Sequence, residues 1–183
     1  MNEEMPKMEI MEHEKCPICS ANELTLTEME RDIPFFGVVA IFSMSCNACK
    51  YHKADVESLE KREPIKYSIN VESEEDLKIR IIKSSHALIK ISHVGSIEPG
   101  EAANGYVTNV EGILNRMKKQ VEFLRDSSDN PADGKKAKNI LKKLTKVLWG
   151  QDKIKITLED PSGNSAIISD KAEKKNYKPK NSR

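Results

Sequence analysis

Residues 16–49 read CPICSANELTLTEMERDIPFFGVVAIFSMSCNAC and hold all four cysteines of a 183-residue chain. The cysteines form two C-x-x-C pairs, Cys16-Pro17-Ile18-Cys19 and Cys46-Asn47-Ala48-Cys49, with 26 residues between them. Two intervening residues let a tight turn aim both sulfurs at one point, so two such turns close a tetrahedral shell around one zinc ion. The separation slightly exceeds the roughly 15 to 20 residues common for such pairs and suits two β-hairpins with a longer excursion. A shell of four thiolates leaves no open position for water or substrate, which makes the expected metal structural. The complete set needs neither His13 nor His52. The −2 charge of such a centre suits the nearby Lys15, Lys50 and Lys53.

Outward from the cysteines, residues 38–45 are rich in β-branched and apolar side chains and suit a strand delivering Cys46 to the metal, with 51–56 as the strand leaving it. From Ile65 the pattern alternates through Tyr67, Ile69 and Val71, passes a charged turn at 72–76, and resumes at Leu77, Ile79 and Ile81. Residues 86–94 read as one more strand, ended by Glu98-Pro99-Gly100. At Thr108-Asn109-Val110-Glu111 the spacing is that of a helix capping box. Ile113, Leu114, Met117, Val121 and Leu124 then recur at helical intervals. Asn130 is a natural N-cap with Pro131 in the first turn, and Ala137, Ile140, Leu141, Leu144, Val147 and Leu148 form a second stripe that Gly150 stops. Alternation returns at Ile154, Ile156 and Leu158. A turn at 160–164 and a short strand at 166–168 close the pattern. The expected organisation is therefore a flexible lead-in at 1–13, a zinc-ribbon module at 14–60, and a β domain at 61–169. A helical hairpin interrupts that domain at about 110–150, and a disordered basic tail follows at 170–183, with six basic and two acidic residues.

Composition narrows the function classes. Hydrophobic residues make up 38%, and 30 basic residues against 29 acidic give a formal charge of +1, so no global field draws the chain to nucleic acid or anionic lipid. The apolar stretch at 33–44 is broken by Pro34, Gly37 and Ser43 and is shorter than the roughly 20 residues of a membrane helix. The acidic residues Glu3, Glu4, Glu9, Glu12 and Glu14 do not resemble a secretory signal, so a cytoplasmic chain with reduced thiols is expected. A metalloenzyme reading would call on His93 and Glu98 as ligands. However, His86 and His93 are seven positions apart and face opposite ways on a continuous strand, and no His-x-His pair exists. No enzymatic activity is expected. Residues 115–150 carry ten basic and four acidic residues, a local patch fit for an acidic surface or a phosphate backbone.

Several of these motifs together resemble the ZPR-type zinc-finger proteins: Cys16-Pro17-x-Cys19, Ile33-Pro34-Phe35-Phe36, Cys46-x-x-Cys49, residues 77–84, Glu98-Pro99-Gly100, residues 108–114 and residues 158–165. The resemblance runs over about residues 14–168. It implies a zinc ribbon tethered to a double-stranded β-helix with a helical-hairpin insertion, in a single copy as in archaeal relatives. It also implies binding of translation elongation factor 1-alpha as a folding, assembly or regulatory factor. The competing expectation is a zinc-ribbon nucleic-acid or ribosome-associated protein that uses the basic hairpin and tail.

Overall fold

The computed structural model describes residues 8–33, 37–58, 62–100, 103–128 and 130–178. The motif residues Pro34, Phe35 and Phe36, the first part of the expected lead-in (1–7) and the end of the expected tail (179–183) lie outside them. Four antiparallel strands, β1 (Met8–Glu14), β2 (Leu24–Ile33), β3 (Gly37–Cys46) and β4 (His52–Ser58), form one sheet in sequence order. The β2/β3 ladder runs unbroken from Leu24↔Cys46 to Ile33↔Gly37, and β4 continues it through Ser45↔His52.

The second unit is built from β5 (Ile65–Val71), a one-turn helix α1 (Glu74–Leu77), β6 (Arg80–Lys83), β7 (Leu88–Ile91), β8 (Gly95–Ile97) and β9 (Tyr106–Asn109). The helices α2 (Val110–Ser127) and α3 (Pro131–Leu148) follow, then β10 (Ile154–Asp160), β11 (Ala166–Ile168) and β12 (Glu173–Asn176). A five-stranded sheet orders them β12-β5-β10-β7-β8, and a three-stranded sheet β11-β6-β9. The strand after the helical hairpin, β10, lies between β5 and β7, which precede it. The insertion therefore interrupts one β domain, as the alternation implied. Ile69, Ile81, Ile89, Ile156 and Leu158 from the strands meet Ile113, Leu114 and Leu144 from the helices in one core, all at most 2% exposed.

The helix ends follow from their sequence. The Asn109 side chain caps α2 by accepting from the Gly112 N–H at 2.8 Å, so the cap falls one residue after the expected Thr108. Asn130 caps α3 on Ala132 N–H at 3.0 Å, with Pro131 in the first turn. At its far end Gly150 takes φ +65°. Its N–H reaches Val147 O at 2.9 Å, and that of Gln151 reaches Lys146 O at 2.8 Å, the paired closure that a left-handed residue permits.

Four further expectations are corrected. The lead-in is not loose throughout, because Met8–Glu14 pairs with β2 from Met8↔Met29 to Glu14↔Leu24. The tail is not disordered throughout, because Glu173–Asn176 pairs with β5 and Lys171 reaches Asp76 at 2.6 Å. Both are edge strands with every residue exposed, so backbone pairing holds them and no apolar alternation announces them. The strand expected at 86–94 ends at Ile91, since His93 turns left-handed at φ +61° and the chain folds back as β8, pairing Ile89↔Ile97. Leu124 leaves the stripe of α2: burial ends at Val121, and Phe123 and Leu124 stand 71% and 62% exposed.

Candidate metal centre

The two C-x-x-C turns have the same backbone construction. Cys16 N–H donates to Ala21 O at 2.9 Å and Ser20 N–H to Cys16 O at 2.9 Å; Cys46 N–H donates to Tyr51 O at 2.8 Å and Lys50 N–H to Cys46 O at 3.0 Å. Ser20 and Lys50, each four residues after the first cysteine of its pair, close these turns at φ +61° and +62°. A bond from Asn47 N–H to Glu23 O at 3.0 Å fixes the second turn to the first hairpin. Cys16 and Cys46 are buried with Leu24, and Leu26, Met44 and Tyr51 pack around them. Cys19 and Cys49 are exposed.

The four sulfurs lie within 4.8 Å of one another. Cys16 Sγ is 3.8 Å from Cys49 Sγ, and Cys19 Sγ is 3.7 Å from Cys46 Sγ. A tetrahedron with Zn–S bonds of about 2.3 Å has edges of about 3.8 Å, so the donor set has the size of a zinc shell. Its electrostatics agree. Burial works against the Cys16 thiolate, but the N–H groups of Cys19 and Ile18 outweigh it and bring the thiol down to about 7. Cys49 has the Tyr51 N–H in its favour, yet desolvation and the three neighbouring sulfurs push it up to about 12. A divalent cation at the centre of the quartet would supply the charge that a Cys49 thiolate lacks here.

The other candidates fall elsewhere. His52 Nδ1 pairs with Ser45 Oγ at 2.9 Å, His86 Nδ1 with Ser85 Oγ at 3.1 Å, and Glu98 Oε1 accepts from Ser96 Oγ at 3.1 Å. Exposed His93 lines a shallow hollow with Lys143 and Lys153. The patterns did not reveal Asp160, which is fully buried. Its Oδ2 accepts from Ser84 Oγ at 2.9 Å and Ser165 Oγ at 2.6 Å, and its Oδ1 from Ser162 N–H at 2.8 Å and Ser162 Oγ at 2.7 Å. Ser162 and Ser165 close after the aspartate were the available sequence signal, whereas Ser84 joins from 76 positions away.

The ribbon is seated on the β domain by its far end. Val39 and Val56 form a small core with Ile82 and Ala166, flanked by Ile41, Tyr67 and Ile168. Ala54 receives the Gly105 N–H at 2.9 Å and donates its own to Asn104 Oδ1 at 2.9 Å, while Asp55 Oδ1 takes the Ser85 N–H at 2.9 Å.

A mainly β chain with a four-cysteine ribbon followed by a jelly roll that carries a helical hairpin is the class these features define. Residues 9–64 match the ZPR1 zinc-finger domain and residues 75–183 the ZPR1 jelly-roll domain. The chain is 38% identical to a ZPR1-like protein of Methanocaldococcus jannaschii over 168 residues, 91% of this chain and 85% of that one. It is 38% identical to a ZPR1-like protein of Pyrococcus horikoshii over 161 residues, 85% and 72% of the two chains. The zinc finger chaperone zpr1 of Schizosaccharomyces pombe is 30% identical over 141 residues, 74% of this chain and 30% of that protein. The chain belongs to the ZPR1 family, and its zinc-finger domain and the closeness of its four cysteines fit one structural zinc. No helix among the described residues is long and apolar enough to cross a membrane.

Proposed function

We propose that this chain is a non-enzymatic, cytoplasmic protein-interaction factor that binds translation elongation factor 1-alpha and assists its folding, assembly or regulation. Cys16, Cys19, Cys46 and Cys49 hold its one zinc. The observation that carries this reading is the closed cysteine quartet. A metal held by four thiolates pins a scaffold and has no position for a substrate, so the work falls to the protein's surfaces. The relative named a chaperone in S. pombe supports the same direction. The sequence has no G-x-x-x-x-G-K-[ST] loop, so GTP turnover would belong to the partner.

A GTPase changes its switch segments with nucleotide, and a maturation factor that contacts them has unequal affinity for the states. Calorimetry with purified elongation factor in nucleotide-free, GDP and GTP forms tests this. The expected result is a one-to-one complex whose affinity differs among the three. Undetectable binding in all three, with tight RNA binding that weakens steeply with salt, would favour the nucleic-acid reading instead.

A further inference from the structure

A cavity of about 420 to 520 Å³ recurs at several places on the surface, but one differs in its chemistry. It is an open hollow of about 520 Å³ between β8, β9 and α2, lined by Lys83, Glu98, Asn104, Tyr106, Arg116 and Lys119 among others. Lys83 is only 2% exposed, and one hydrogen bond, to Ser84 O at 2.9 Å, accounts for one of its three donors. Its ammonium lies 5.5 Å from the centre of the Tyr106 ring, and the Arg116 guanidinium lies 4.2 Å from the centre of that same ring. Two cations thus meet at one aromatic side chain. Among the described residues no carboxylate comes within ion-pair distance of Arg116, Lys119 or Lys83.

The neighbouring acids do not fill this role. Burial holds the Lys83 ammonium below its ordinary proton affinity, an effect that Asp160 and Asp55 oppose from a distance and Arg116 reinforces. Both oxygens of Asp160 are taken by the serines named above. Asp55 Oδ1 accepts from the N–H groups of Val56 and Ser85, at 2.8 and 2.9 Å. Glu98 stands exposed at the rim on Ser96.

We propose that this cavity receives the carboxylate of an acidic side chain from a partner protein, held by Arg116 and Lys119 at the rim and by Lys83 below. The proposal rests on the protein-binding reading of the chain. The guanidinium offers a planar fork that matches a carboxylate, and the Tyr106 ring keeps it oriented. Phosphate is the weaker fit. The cavity lies against the flank of α2 and not its N-terminus, so it lacks the converging backbone N–H groups of phosphate sites, and Glu98 opposes a dianion.

The test is a ¹H–¹⁵N titration of the full chain, including the arginine Nε–H signals, with blocked hexaglutamate in one arm and inorganic phosphate in the other. The expected result is saturable shifts centred on Tyr106, Arg116 and Lys119, with the peptide binding about tenfold tighter than phosphate. Arg116→Gln weakens the peptide about tenfold, the size of one lost charged hydrogen-bond pair. Arg116→Lys falls between, because an ammonium lacks the fork. Lys138→Gln, an exposed change on α3, alters nothing. Lys83→Met would probe the floor, and the surface variants carry the test if that one does not fold. Shifts spread evenly over the hairpin lysines, indifference to Arg116→Gln, or phosphate as the better ligand would each overturn the proposal. Calorimetry with the elongation factor remains a separate measurement, so the two readings fail independently.

Discussion

Ser20 and Lys50 occupy the left-handed region because the C-x-x-C turn needs its fifth residue there to return an N–H to the first cysteine. A residue with a Cβ bears a cost of roughly 1 kcal/mol in that conformation, and glycine does not. Lys50→Gly is therefore expected to raise stability by up to about 1 kcal/mol in denaturant melts of the zinc-loaded protein. A loss of stability would show that the Lys50 side chain contributes contacts of its own. Glu159 supplies a second test. It is 5% exposed, yet Lys66 and Lys90 each meet one of its oxygens at 2.7 Å. Desolvation pushes its proton affinity up, but the two lysines outweigh it and hold the carboxyl below its ordinary value of 4.5. A depressed carboxylate contributes stability above the unfolded value and loses it as pH falls through the folded one. The melting temperature of the wild type should thus exceed that of Glu159→Gln near neutrality, with the gap closing as pH drops from about 5 to 3. A gap constant over that range would remove the ion pairs from the account. Both sites were illegible in sequence, since a left-handed serine or lysine looks like any other and an acid in a strand reads as solvent-facing.

The elements were legible where burial made a pattern. The stripes of α2 and α3 emerged because one face of each enters the core, and β5 and β10 alternate because one face of each does the same. Leu144 is fully buried, whereas the Lys136 side chain is 79% exposed. Leu144→Ala should cost roughly 2 to 5 kcal/mol. Lys136→Glu should change stability by less than about 0.5 kcal/mol. The exposure difference predicts this ordering, and equal losses in urea melts would mean the faces are misassigned. Lys143 differs from Lys136 although both lie in the same basic run. Its side chain is 30% exposed and 3.7 Å from Asp152, so reversing its charge should cost more than reversing Lys136. The edge strands β1 and β12 escaped the sequence for the opposite reason. Their pairing comes from backbone groups, every side chain is exposed, and periodicity reports burial alone.

At the scale of the molecule, the cysteine quartet and the seat on the β domain lie at opposite ends of the ribbon sheet. Among the described residues the buried core of the metal end is Cys16, Leu24 and Cys46, with Leu26, Met44 and Tyr51 packed on it, too small to order two turns by itself, so there the metal supplies what packing does not. The seated end has Val39 and Val56 against Ile82 and Ala166, and it depends on the close approach of Gly105 to β4. A Cβ on Gly105 would lie 2.5 Å from Asp55 Oδ1 and 2.7 Å from Val56 N, nearer than atoms pack, so the strand would have to withdraw. The spacing of the cysteines reveals the first end. The second joins residues about 50 positions apart through backbone contacts, which no local pattern encodes. Two perturbations should therefore separate in hydrogen exchange. Chelation of zinc, or Cys46→Ser, should open amides 16, 18–20 and 46–50 while Val39, Val56 and the β10 ladder stay protected. Gly105→Ala should release Ala54 and Val56 first and leave zinc content at about one per chain. If removing the metal also exposes β5 and β10, the ribbon and the β domain fold as one cooperative unit, and the zinc then stabilises the whole surface offered to a partner.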